Sequence, residues 1–134
     1  MIRKLDERTL VSGQIVPDDI ARLKDRGVTM IVCNRPDNEE PGQPRAADIE
    51  RAAEEAGLQF RHVPIIRGIG PSDVEAVQDA LESATGKVLL YCRSGNRSSL
   101  AWAVARRGQG ASVEEVSRAV TQAGHDIGPV EHLL

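Results

Sequence analysis

The stretch from Lys87 to Gly108 restricts this chain more than any other. Lys87-Val88-Leu89-Leu90-Tyr91 is a short apolar run with β-branched and aromatic members, the pattern of a fully buried strand. Leu100-Ala101-Trp102-Ala103-Val104-Ala105 is a second apolar run, rich in alanine and followed by Arg106-Arg107-Gly108, which suits a helix and its end. Between them lies Cys92-Arg93-Ser94-Gly95-Asn96-Arg97, a loop of six residues opened by a cysteine and closed by an arginine.

A loop that feeds a helix start turns its backbone N–H groups inward, and the helix dipole adds roughly half a positive charge. Cys92 stands where that field is strongest, which favours its thiolate. Arg97 offers a two-pronged fork to an oxyanion held in the same cradle. Gly95 allows a turn that a Cβ would hinder, and the Ser98 hydroxyl either caps the helix or donates to the sulfur. Cys92, Arg97 and Ser98 therefore read as catalytic, with Arg93, Ser94, Gly95 and Asn96 as the anion-binding loop.

At 134 residues the chain suggests one domain, 1–134, with one core. One Trp, one Tyr and one Phe leave that core to aliphatic residues and alanine. A formal charge of −3 argues against nucleic acid or an anionic membrane as a bulk partner, though not against a local positive pocket. No apolar run is long enough to span a bilayer, and Met1-Ile2-Arg3-Lys4-Leu5-Asp6 lacks a signal-peptide core. Two cysteines, one in a reactive setting, fit a reducing cytoplasm better than a disulfide framework.

Along the chain, strands are expected at Thr9–Ser12, Val28–Cys33, Leu58–Ile66 and Lys87–Tyr91. Helices are expected from Pro17 to before Gly27, over Arg45–Ala56, from a Ser72/Glu75 capping box, after the cysteine loop, and from a Ser112/Glu115 capping box to Gly124. Alternating strands and helices imply an α/β fold, a mostly parallel sheet of about four to five strands between helical layers. Ligands then bind at the carboxyl rim of the sheet. That rim gathers the Cys33–Pro44 loop, the Arg67–Pro71 loop and the Cys92–Arg97 cradle. Three histidines without ligand spacing give no metal site, and no cofactor is implied.

Two family resemblances follow from these motifs. Tyr91 to Ser98 looks like the active loop of rhodaneses, which carry sulfane sulfur as a cysteine persulfide. The order Val11-Ser12-Gly13-Gln14, Gly27 to Val32, Asn34-Arg35-Pro36-Asp37, then strand, helix and cysteine loop resembles dual-specificity cysteine phosphatases. It is most similar to the bacterial phosphatase-like domain found alone or fused to beta-lactamase-like hydrolases of the persulfide-dioxygenase type. That resemblance covers roughly residues 1 to 110 and implies a cysteine-phosphatase-like fold, with such a hydrolase as a possible partner.

Two departures from the phosphatase pattern favour sulfur chemistry. Four residues separate Cys92 from Arg97, one fewer than cysteine phosphatases have and the spacing seen in rhodaneses. Ile65-Ile66-Arg67-Gly68-Ile69-Gly70, where such phosphatases carry an acid, holds no carboxylate. An ester leaving group gains about 10²–10⁴-fold from a general acid, whereas sulfite or a thiolate leaves without one. The expectation is a sulfurtransferase that takes sulfane sulfur from an anionic donor, thiosulfate or a persulfide, onto Cys92 and passes it to a thiol acceptor, Arg67 adding positive charge. The alternative is a phosphatase acting through a Cys92 phosphocysteine on a phosphorylated substrate, its acid drawn from Asp37, Glu39 or Glu40. A third reading is an inactive phosphate-binding module. Cys33 is either a packed strand residue or a resolving thiol for oxidised Cys92.

Overall fold

Pleat alternation along the central strands sends apolar side chains to both faces of one sheet, so both faces must be covered. The computed structural model describes residues 1–134. Its strands are β1 (Arg3–Asp6), β2 (Thr9–Ser12), β3 (Val28–Cys33), β4 (Gln59–His62) and β5 (Lys87–Tyr91). They lie in the order β1-β2-β5-β3-β4, all parallel except β1, which pairs antiparallel with β2. The helices are α1 (Ile20–Asp25, entered by a 3-10 turn over Pro17–Asp19), α2 (Ala46–Glu55), α3 (Pro71–Ser83), α4 (Asn96–Gly108) and α5 (Val113–Gln122).

Leu89 and Tyr91 of β5 pack with Ile31 and Cys33 of β3 against Ile20, Leu23 and Ile49 of α1 and α2. Val88 and Leu90 face the other way, with Met30 and Val32, toward Trp102 of α4 and Val116 and Val120 of α5. A smaller cluster of Ile65, Val77, Ala101 and Ala105 joins α3 to α4. The result is the expected three-layer α/β fold, a mostly parallel sheet between two helical layers.

Several boundaries differ from expectation. β1 was not anticipated, since Arg3-Lys4-Leu5-Asp6 buries only Leu5. α3 starts two residues early: Gly70 is its cap, Pro71 its first residue, and Asp73 accepts the Gly70 N–H at 2.9 Å in place of the Ser72/Glu75 box. The Ser112/Glu115 box opens α5 as expected. β4 is only four residues long. α4 begins at Asn96, so Arg97 sits in its first turn instead of closing a loop.

Candidate active site

β5 is the middle strand, and it delivers Cys92 to the carboxyl rim between the loops that follow β2 and β3. The Cys92 N–H reaches the Ser12 carbonyl at 3.4 Å, which prolongs the ladder by one residue. The chain then turns through Gly95, whose φ of 93° is a left-handed conformation that only glycine adopts cheaply. That turn brings the Gly95 N–H to 3.1 Å from the Cys92 sulfur. The amides of Arg93, Ser94, Arg97 and Ser98 donate to no group of the protein, as expected before and within a first helical turn. They are free to receive an oxyanion at the sulfur. Gly13 closes the cradle from the β2 side: a Cβ there would lie 2.8 Å from the Arg93 carbonyl, which also accepts the Gln14 N–H.

Arg97 closes the opposite side. Its Nη1 donates to Glu39 Oε2 at 2.6 Å and to the Ile65 carbonyl at 2.8 Å, and its Nη2 donates to Glu39 Oε1 at 2.8 Å. Glu39 is the largest cause holding Arg97 firmly charged, and the Cys92 sulfur adds to it. In return the Arg97 guanidinium, with help from Arg35, holds the Glu39 carboxyl below the usual carboxylate range. Arg35 is buried, and a buried guanidinium must be fully paired. It donates to Glu39 at 2.9 Å, to Gln14 at 3.0 Å and to Glu40 at 2.7 Å, while Glu40 also pairs with Arg93 at 2.8 Å. The rim is thus knitted by the chain Arg97–Glu39–Arg35–Glu40–Arg93.

This geometry revises several expected roles. The Ser98 hydroxyl neither caps the helix nor donates to the sulfur; it donates to Asn34 Oδ1 at 2.8 Å, both groups fully buried. Ser99 bonds back along the helix, its hydroxyl donating to the Gly95 carbonyl at 2.8 Å, and Gly95 itself holds the cap position without a side-chain cap. Asp37 accepts the Ala46 N–H at 2.8 Å and so caps α2. With Glu39 and Glu40 bound to arginines, no rim carboxylate stands free. Arg67 is exposed on its loop and touches no partner, whereas Ile65, two residues earlier, reaches the cradle through its carbonyl. Ser94 and Asn96 form the turn itself, the Ser94 hydroxyl accepting the Asn96 N–H at 3.4 Å. Cys33 is buried beside Tyr91; burial pushes its thiol up, and it contacts the Arg35 carbonyl at 3.4 Å. Gly13, Asn34 and Arg35 were not anticipated as site residues, though Asn34-Arg35 lay within a motif already singled out. No group of side chains could hold a metal ion.

Residues 1–111 match the family described as the phosphatase-like domain of beta-lactamase hydrolase-like proteins. The chain belongs to this family. It is 35% identical over 126 residues to a beta-lactamase hydrolase-like protein of Xylella fastidiosa, covering 92% of this chain and 29% of that protein. A namesake from Agrobacterium fabrum is 33% identical over 96 residues, 71% of this chain and 22% of that protein. The chain therefore spans less than a third of the length of these curated relatives. Among solved structures, a presumed phosphatase of Neisseria meningitidis superposes with a TM-score of 0.84 at 38% identity, covering 97% of this chain and 94% of that one. PTPMT1 shares the fold, with a TM-score of 0.74 at 17% identity over 99% and 91% of the two chains. These likenesses support a phosphatase-like scaffold. The sulfur-transfer expectation has no counterpart among these names, so the phosphatase alternative is the better supported of the two. No helix is long and apolar enough to cross a membrane.

Proposed function

We propose that this phosphatase-like domain is a cysteine-dependent phosphatase in which Cys92 attacks the phosphorus of a phosphomonoester. What carries the reading is the cradle: unpartnered amides around a sulfur that already accepts the Gly95 N–H, with a clamped, charged Arg97 beside it. Preorganised donors of this kind stabilise the charge that develops on the transferring group. The S–P bond forms as the P–O ester bond breaks, and water then hydrolyses the phosphocysteine to inorganic phosphate and the free thiolate. Because Asp37, Glu39 and Glu40 are all engaged, no carboxylate is free to protonate the leaving oxygen. Substrates with good leaving groups, such as aryl phosphates, fit that limitation.

The same observation favours a second reading, sulfur transfer, together with the four-residue spacing from Cys92 to Arg97. Here the thiolate attacks the outer sulfur of thiosulfate, an S–S bond forms, sulfite leaves with the electron pair, and a thiolate acceptor then takes the sulfur from the Cys92 persulfide. Intact mass after incubation with an aryl phosphate and, separately, with thiosulfate decides between them. Phosphate release or a phosphoryl adduct on Cys92 supports the phosphatase. A one-sulfur adduct without phosphate release replaces it with the transferase. Neither adduct, with no phosphate released, overturns both.

A further inference from the structure

The two sides of the cradle differ in the carboxylates they hold. On the β3 side Arg35 and Arg97 pair with Glu39, and Arg35 and Arg93 with Glu40, while Arg67 stands exposed on the loop after β4. On the β2 side lie two adjoining clefts of about 370 Å³ and 350 Å³ that share Ser12 and Gly13. The first runs from Ser94 of the cradle loop to Arg3 and His125; the second continues to Arg22 and Arg26. The only acid lining either cleft is Asp19, already engaged by Arg22 and by the Val16 N–H. The guanidinium groups of Arg3 and Arg26 have no partner at all.

The topology explains how Arg3 comes to be there. The β1–β2 hairpin runs antiparallel, so the start of β1 returns to the carboxyl rim, and Arg3 lies abreast of Val11. Val11 is followed by Ser12, whose carbonyl accepts the Cys92 N–H. On the other wall, His125 Nε2 lies 3.2 Å from where a Gly95 Cβ would stand, so the groove abuts the cradle directly. In a chain of net charge −3, two unpaired guanidinium groups along a groove that adjoins an oxyanion cradle are a selective feature.

We propose that this groove is a subsite for a second anionic group on the substrate, so that the preferred substrates are small molecules with two anionic ends. One end sits at Cys92 and the other, a carboxylate or a second phosphate, reaches Arg3. The proposal deepens the cradle reading and rests on Cys92 marking the first anion's position, though not on which group is transferred.

The test is binding to the Cys92→Ser protein, which removes turnover. Dissociation constants are measured for phenyl phosphate, 4-carboxyphenyl phosphate and 1,4-phenylene bisphosphate, with and without Arg3→Gln or Arg26→Gln. The anionic tails are expected to tighten binding about fivefold or more at low salt, with the gain shrinking as salt rises. Arg3→Gln should remove most of that gain. The carboxylate and phosphate arms show which anion the groove prefers. Equal affinities for neutral and anionic tails, or a gain untouched in both arginine variants, overturns the subsite. If the tail preference is present but neither an aryl phosphate nor thiosulfate modifies Cys92 in the wild-type protein, the subsite stands and the proposed chemistry falls.

Discussion

Glu39 holds Arg97 with both carboxylate oxygens, across 58 residues of sequence, while its own back is held by the buried Arg35. The loop after β3 thereby fixes the aim of a guanidinium carried by the first turn of α4. Glu39→Gln keeps the size and removes the charge of the clamp. Misplacing a positioned group by about 1 Å can cost on the order of 10²-fold. The expected result is a loss of roughly 10–100-fold in kcat/KM, read by steady-state kinetics.

The same pair sets an acid limit. The Glu39 carboxyl sits lower in the folded protein than in the unfolded chain, because of the Arg97 hydrogen bond first. Its stabilising contribution is complete above the unfolded value of about 4.3 and is lost as pH falls through the lower folded value. The gap in melting temperature between wild type and Glu39→Gln should be full well above that unfolded value and narrow as pH falls below it. A gap that persists unchanged at the acid end would refute the linkage.

Ser98 is expected to matter for stability through Asn34. The Asn34 amide donates to the Val63 carbonyl at 3.0 Å and its oxygen accepts from Ser98, so one side chain ties β3, the chain after β4, and α4. Ser98→Ala leaves a buried acceptor unpaired, at a cost of about 1–3 kcal/mol. Denaturant unfolding checks this, and Ser98→Thr, which retains the hydroxyl, should recover part of the loss.

Gly13→Ala tests the cradle wall from outside the cysteine loop. The new Cβ would meet backbone, the Arg93 carbonyl, at 2.8 Å, and backbone cannot swing aside as a side chain can. Displacement of the loop should lower kcat/KM by roughly 10-fold or more. Wild-type kinetics in that variant would mean the loop yields without consequence.

Cys33 and Cys92 invite an oxidation experiment. Cys33 is the ladder partner of Tyr91 and shares its face of the sheet, whereas Cys92 lies one residue beyond β5 with its sulfur turned to the Gly95 N–H of the cradle. Cysteines whose Cβ vectors diverge cannot be bridged without backbone movement. Peptide mapping after mild peroxide should find Cys92 oxidised and no 33–92 disulfide; a crosslink would reveal a resolving pair and a mobile rim.

What the sequence made legible was the part built from local signals. The Lys87–Tyr91 run, the alanine-rich helix after it and Val28–Cys33 declare themselves through composition over a few residues, and the Cys92–Gly95 turn through its glycine. β1 escaped because an edge strand with one buried side chain has almost no apolar pattern to read. The start of α3 was misplaced because two overlapping capping patterns compete there, and Pro71 at the first helical position favours the earlier one. The rim ion pairs were invisible for a different reason. Arg35 looks like ordinary surface charge, and Glu39, Glu40 and Arg93 read as candidate acids and a cradle residue with no sign of each other, until the fold brings the loops after β3 and β5 together; Ser98 likewise finds Asn34 across 64 residues. Long-range partners of polar side chains leave no periodic trace in a sequence.

The position of β5 has a consequence for how this molecule fails. Cys92 hangs from the innermost strand, and the groups around its sulfur arrive on connections from both neighbouring strands and from the segment beyond β4. A half-assembled chain that has not yet paired β2 or β3 lacks one wall of the cradle altogether. The cradle is therefore complete only when β2, β3 and β5 are paired together and the segment beyond β4 is in place.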